Sequence, residues 1–198
     1  MKKIFLKMKR GYMIIETMVA VSLFIIIVMS GMNALLNANL LHQKSQSMRS
    51  VMDNLSFIME DISKNLRTGY NYYCITGSDD LSNVSTRKSG QSCWGVAFES
   101  AAGSTSNPND QWVYYIDNFG KIFKSTQGPY VVSNFVQLTP DEVVINSVSS
   151  FSVLGAESIS TNQQQPFVGI KLVGSITFKN IITPFSLQTS ISQRLIDV

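Results

Sequence analysis

Hydrophobic and polar positions follow three different patterns along the chain. From Tyr12 to Met32 the residues read Tyr-Met-Ile-Ile-Glu-Thr-Met-Val-Ala-Val-Ser-Leu-Phe-Ile-Ile-Ile-Val-Met-Ser-Gly-Met, apolar on every side with Glu16 as the one charge. Such a stretch predicts a helix of about 32 Å, against a hydrocarbon core roughly 30 Å thick, so it is long enough to span a bilayer. From Met32 the helical pattern continues without proline to Arg67, but it becomes one-sided. Leu36, Leu40 and Leu41 lead through the polar patch from His42 to Ser47 into a second stripe of Met48, Val51, Met52, Leu55, Ile58, Met59, Ile62 and Leu66. Those three- and four-residue spacings predict an amphipathic helix whose apolar face is core. The opposite face carries Arg49 with Asp53 and Glu60 with Lys64 four apart, pairs worth a few tenths of a kcal/mol each. Gly69 is the expected stop, and Gly31 with Asn33 marks a point where the helix could loosen. From Tyr12 to Thr68 the whole helix would be about 85 Å long.

Beyond Gly69 the period changes from helical to alternating. Trp112, Tyr114 and Ile116 alternate with Val113 and Tyr115, and Asp117-Asn118-Phe119-Gly120 supplies a turn before Lys121-Ile122-Phe123-Lys124, which predicts a β-hairpin. Val168, Ile170, Leu172, Gly174, Ile176 and Phe178 share one parity, the pattern of a long antiparallel strand with one wet face. Phe185, Leu187, Thr189 and Ile191 repeat it, and the span from Val143 to Val153 predicts one further strand. A sheet with one apolar face needs a cover, and the Met48–Leu66 stripe is available. The fold class expected is therefore α+β, a long N-terminal helix packed on an antiparallel β-sheet domain. The polar stretches Ser100–Asp110 and Glu157–Gln165 are surface connections or partner-contact loops.

Charge changes this picture at the N-terminus. The chain of 198 residues is 44% hydrophobic and only 15% charged, with a net charge of +3. Ordinary soluble domains carry about 25% charged residues. Lys2, Lys3, Lys7, Lys9 and Arg10 stand before the apolar run with no acid among them, and no Lys or Arg follows until Lys44. The positive-inside rule then leaves the N-terminus in the cytoplasm and the rest of the chain outside. Without those five residues the balance is 11 basic against 13 acidic. A general affinity for nucleic acid is disfavoured, since it needs basic residues spread over a folded face.

A secretory signal peptide and a plain signal anchor are the simpler readings of the apolar run. The first needs a small-residue cleavage site, for which Val28-Met29-Ser30 is a poor substitute. Neither accounts for Glu16, a carboxylate about one turn into the apolar stretch, because an ion buried in lipid costs several kcal/mol unless it finds a partner.

The N-terminus resembles the type IV prepilin signal. A short basic leader ends in Lys9-Arg10-Gly11, an apolar segment Tyr12-Met13-Ile14-Ile15 follows, and Glu16 is the fifth residue beyond the glycine. The family holds pilins, minor pilins and the pseudopilins of type II secretion and competence systems. The resemblance implies cleavage between Gly11 and Tyr12 by a prepilin peptidase on the cytoplasmic side, followed by N-methylation at Tyr12. Phe is usual at that position, and Tyr12 departs from it. The size, the long helix and the segment from Asn54-Leu55 to Asn65-Leu66-Arg67 resemble minor pilins and J-type pseudopilins more than major subunits.

The implied organisation is a leader at 1–11, a membrane and filament-core helix at 12–33, its amphipathic continuation at 34–68, and an extracytoplasmic β-rich domain at 69–198. The implied partners are the peptidase, other pilin or pseudopilin subunits with their assembly platform, and the cytoplasmic membrane crossed once before assembly. A filament at the cell surface or in the periplasm would be the final location, and a role in DNA uptake stays open. The rival reading is a membrane-anchored surface binding protein or adhesin that never polymerises.

Cys74 and Cys93 are the two cysteines and fall in the part placed outside the cytoplasm. An oxidising compartment favours a disulfide, worth about 3 kcal/mol for a loop of this length, with two free thiols as the other reading. Major pilins more often bracket a C-terminal loop with their cysteines. Asp79-Asp80 lacks the spacing of a calcium loop and reads as a solvated turn. His42 is the sole histidine, and the chain carries no G-x-S-x-G, phosphate loop or H-E-x-x-H. The sequence therefore predicts neither an enzyme nor a metal or cofactor site.

Cleavage after Gly11 would create a cationic α-amino group on Tyr12, and that cation and Glu16 of a neighbouring subunit would attract strongly in a dry filament core. Glu16→Ala subunits are accordingly expected to be processed but to enter filaments poorly. Incorporation equal to wild type in sheared filament fractions would refute the pairing.

Overall fold

The computed structural model describes residues 13–77, 79, 86–129, 131–158, 160–161, 163–179 and 181–194. Lys2, Lys3, Lys7, Lys9, Arg10, Gly11 and Tyr12 lie outside the described residues. The chain divides into two compact units, residues 1–46 and 47–198. One helix, α1 (Ile14–Thr68), belongs to both. It runs unbroken through Gly31 and Asn33, so the loosening expected there does not occur. A lone glycine costs about 1 kcal/mol in a helix but leaves every backbone hydrogen bond available.

The second unit begins with the amphipathic part of α1, on which Val51, Leu55, Ile58, Met59, Ile62 and Leu66 are buried. The helix ends at Thr68 for two reasons. A Cβ on Gly69 would lie 2.3 Å from the Phe98 ring, so the close approach of the following sheet requires glycine. The Tyr72 hydroxyl sits within hydrogen-bond reach of the Leu66 and Gly69 carbonyls, the latter at 2.7 Å, and satisfies groups the last turn leaves open.

Among the described residues ten strands follow: β1 (Tyr70–Ile75), β2 (Gly90–Cys93), β3 (Gly95–Glu99), β4 (Gln111–Ile116), β5 (Ile122–Ser125), β6 (Val136–Gln137), β7 (Val143–Ile145), β8 (Ser150–Leu154), β9 (Phe167–Phe178) and β10 (Ile181–Ser192). They form two antiparallel sheets where the sequence pattern suggested one. The first has the order β1-β3-β4-β5-β6, and the second β10-β9-β8-β2 with β7 also paired to β9. The chain changes sheets at Trp94, the single residue between β2 and β3. The disulfide between Cys74 on β1 and Cys93 on β2, with Cα atoms 5.3 Å apart, therefore ties one sheet to the other. Gly90 makes room for it, since a Cβ there would fall 2.4 Å from the Cys74 sulfur.

The fold is α+β, a long N-terminal apolar helix packed on antiparallel sheets, as the patterning predicts. The hairpin of β4 and β5 and the long strand β9 also stand where the alternation places them. Both faces of the first sheet bury apolar groups. Tyr114, Phe98 and Ile122 join the core under the helix, whereas Tyr73, Ile75, Ala97 and Val113 form a second cluster with Trp94 and Phe135.

The strand expected over Val143–Val153 is two strands, β7 and β8, both antiparallel to β9. Residues 146–149 bulge out between them opposite Val173. The Ser149 hydroxyl accepts from the Val173 N–H at 2.7 Å and donates to its carbonyl at 2.9 Å, so the side chain replaces the missing ladder partner.

Leu55 and Ile62 are completely buried in the helix stripe that both sheets share. Leu55→Ala and Ile62→Ala should each lower stability by about 2–5 kcal/mol. Phe57→Ala, on the 71% exposed opposite face, should change stability by less than about 0.5 kcal/mol. Chemical denaturation of the full chain in detergent, followed by tryptophan fluorescence, measures all three.

Candidate functional site

In the first unit the described residues are helical from Ile14, and the apolar side chains from Met13 to Leu41 are exposed. The helix is long and apolar enough to cross a membrane, and it lies near the N-terminus. Two of its hydroxyls are treated as an apolar surrounding demands. Thr17 donates its hydroxyl to the Ile14 carbonyl at 2.8 Å, and Ser22 donates to the Met18 carbonyl at 2.6 Å. Both hydroxyls are thereby satisfied inside the helix.

Glu16 differs from these two hydroxyls. It stands in the first turn of α1, where free amide groups and the helix dipole favour negative charge. Among the described residues its carboxylate has no hydrogen-bond or ion-pair partner. The Tyr12 amine proposed to pair with it lies outside the described residues. His42, further along the helix, bonds Gln46 at 3.0 Å.

In the second unit a polar lock joins α1 to the first sheet, and the sequence reading did not single it out. Asp61 Oδ2 accepts from the Lys124 ammonium at 2.8 Å and from the Tyr114 hydroxyl at 2.9 Å. Asn65 donates to Asp61 Oδ1 at 3.0 Å and to the Tyr114 oxygen at 2.9 Å. The Lys124 ammonium also lies 4.7 Å from the centre of the Trp112 ring. Burial works to raise the Asp61 pKa, but the bonds from Lys124 and Tyr114 outweigh it and hold the carboxyl below its usual range. Burial pushes the Tyr114 phenol well up. Asp61 and Asn65 are four apart at the border of the apolar stripe, which is the one local sign of the lock. Their partners are 49 to 63 residues away.

Neither helix pair named from spacing, Arg49 with Asp53 or Glu60 with Lys64, closes to ion-pair distance. The ion pairs among the described residues join Lys124 to Asp61 and Lys88 to Asp79. Solvent weakens the attraction of the exposed helix pairs, while their long side chains lose freedom on pairing.

Asp79 stands in a turn closed by its N–H to the Thr76 carbonyl at 2.8 Å, with its side chain partly exposed. Lys88 contacts its carboxylate, and Asp79 also accepts from the Thr76 N–H at 2.9 Å and hydroxyl at 3.1 Å. Asp80 lies outside the described residues. Among the described residues no group of three or more His, Cys, Asp and Glu side chains is placed to hold a metal ion. Comparison of the chain with protein-family models, with curated proteins and with solved structures finds no match.

Since the folded pKa of Asp61 is lowered, its stabilisation is present above its unfolded value and is lost as pH falls through the folded one. Asp61→Ala should lower stability near neutral pH by about 1–3 kcal/mol. The gap between variant and wild type should close in acid, below about pH 4. Urea denaturation across that range checks both the size and the sign.

Proposed function

We propose that the chain is a minor pilin or pseudopilin subunit, held in the cytoplasmic membrane by α1 and then assembled through that helix into a type IV pilus or a type II secretion-type pseudopilus. The observation that carries this reading is Glu16, a carboxylate without a partner among the described residues in an otherwise apolar exposed helix. A simple anchor gains nothing from such a group, whereas a subunit that must find its axial register against an identical neighbour does. The basic leader and Gly11 at its end supply the second support, because cleavage there generates the cation that Glu16 lacks.

The mechanism is packing. The precursor carries Lys2, Lys3, Lys7, Lys9 and Arg10 on the cytoplasmic side, and these charges hold the helix in the bilayer. Removing them lets the apolar helix leave lipid for a filament core that is equally apolar. Glu16 meets the Tyr12 amine of the adjacent subunit only in the correct stagger, since each charge left alone in the dry core is costly. The second unit stays outside the core and presents its own surface.

Intact-mass and N-terminal peptide spectrometry of the membrane-associated protein decides between this reading and a non-polymerising anchored binding protein. A mature chain beginning at a monomethylated Tyr12 is expected. A stable product that keeps Met1 and the basic leader would overturn the filament reading.

A further inference from the structure

The connection from β3 to β4, residues 100–110, is fastened at its two ends by two carboxyl groups whose partners do not add up when both are ionised. Glu99, the last residue of β3, is 0% exposed, and its cross-strand neighbour Gln111 is 2% exposed. Gln111 Nε2 donates to Glu99 Oε1 at 2.8 Å. Asp110 Oδ2 accepts from the Ser104 N–H at 3.1 Å. That leaves Glu99 Oε2 and Asp110 Oδ1, both buried and both without a donor. Asp110 stands beside Glu99, and its carboxyl works to raise the Glu99 pKa. Two ionised carboxylates in contact would repel, and each would leave an acceptor oxygen unsatisfied. One proton removes both problems.

We propose that Glu99 and Asp110 share a proton, and that this carboxyl–carboxylate pair is a pH-operated latch on the 100–110 loop. Glu99 Oε2 carries the hydrogen and donates it to Asp110 Oδ1, so both orphaned oxygens are satisfied at once. Asp110 Oδ2 holds the Ser104 N–H. Gly103 lies directly against the pair, since a Cβ there would be 3.1 Å from Glu99 Oε2. The Tyr70 hydroxyl, from β1, donates to the Gly103 carbonyl at 2.7 Å and pins the same turn.

Among the described residues, the groups facing the pair supply no cation to favour a second negative charge. They are Gln111 from β4, Tyr70 from β1 and the loop itself. Burial, with the Asp110 charge beside it, pushes the Glu99 carboxyl up to about 7, and burial with the two carboxyl groups raises the Tyr70 phenol. The sign follows from the raised value. Stability from the pair is complete below the ordinary glutamate range and is lost as pH rises towards about 7. Above it the second carboxylate forms, the two repel, and the loop amides lose their hold. A chain exposed outside the cytoplasm would then present this loop fixed in mildly acidic surroundings and loosened in alkaline ones.

The test uses the full chain in detergent, with hydrogen exchange read at the amides of Gly103, Ser104, Asn107 and Asp110 and corrected for intrinsic rates. Opening of these amides should rise about tenfold or more between about pH 5.5 and about pH 8.5, while the β9 and β10 amides stay constant. Glu99→Gln places a neutral amide donor against Asp110 and should remove that pH dependence. Carboxyl carbon NMR of the wild-type protein, labelled at Glu and Asp, needs no variant to fold and should show one step of the coupled pair near 7. Titration of both groups in the ordinary carboxylate range would overturn the latch. So would loop opening that is independent of pH without metal yet reduced by added calcium, which would assign the orphaned oxygens to a cation.

Discussion

Val51, Leu55, Ile58, Met59, Ile62 and Leu66 occupy one face of α1, and two sheets converge on it. Val96, Phe98, Tyr114 and Ile122 reach the stripe from one sheet, while Val143, Phe151, Ile170, Leu172 and Phe185 belong to the same core from the other. Fully burying each large aliphatic side chain contributes about 1.5–3 kcal/mol, and six such positions on one helix serve both sheets. The main core of the second unit is arranged around that shared face. The disulfide from β1 to β2 holds the sheets together where the chain crosses between them at Trp94. Gly69 lets β1 begin immediately against the helix end.

Two carboxyl groups at the edges of this core show opposite solutions to burial. Asp61 keeps its charge because Lys124, Tyr114 and Asn65 surround it with donors, and its pKa falls. Glu99 has one donor, Gln111, and a second carboxyl group beside it, so its pKa rises. The first arrangement fastens the helix to the sheet over the neutral range. The second fastens a surface connection only while a proton is present, which makes it the adjustable one of the two.

Glu16 is a third case, in an apolar helix with no partner on its own chain among the described residues. The hydroxyls of Thr17 and Ser22, by contrast, are satisfied locally. A carboxylate without a partner among the described residues leaves room for one supplied by another molecule. That is the physical reason the filament reading turns on a single residue.

The elements that were legible in the sequence are those whose pattern is local. The helix from Ile14 to Thr68, the β4–β5 hairpin and the strand β9 follow from spacing at periods of 3.6 and 2, because burial on one face imposes those periods on neighbouring residues. Glu16 was legible for the same reason, as a charge interrupting an apolar run. The second sheet was not, because the switch at Trp94 involves one residue and no change of pattern. The break between Ile145 and Ser150 was hidden likewise, since Ser149 takes up both backbone groups of Val173 only once β9 lies beside it. The Asp61 and Glu99 sites join groups on separate elements, and for Asp61 the partners lie about fifty residues or more away. Sequence by itself determined which segments must be helix or strand and which face of each is apolar. Tertiary structure decided which strands share a sheet and which carboxyl groups meet a cation or another acid, since electrostatic partners are set by distance in space and carry no period along the chain.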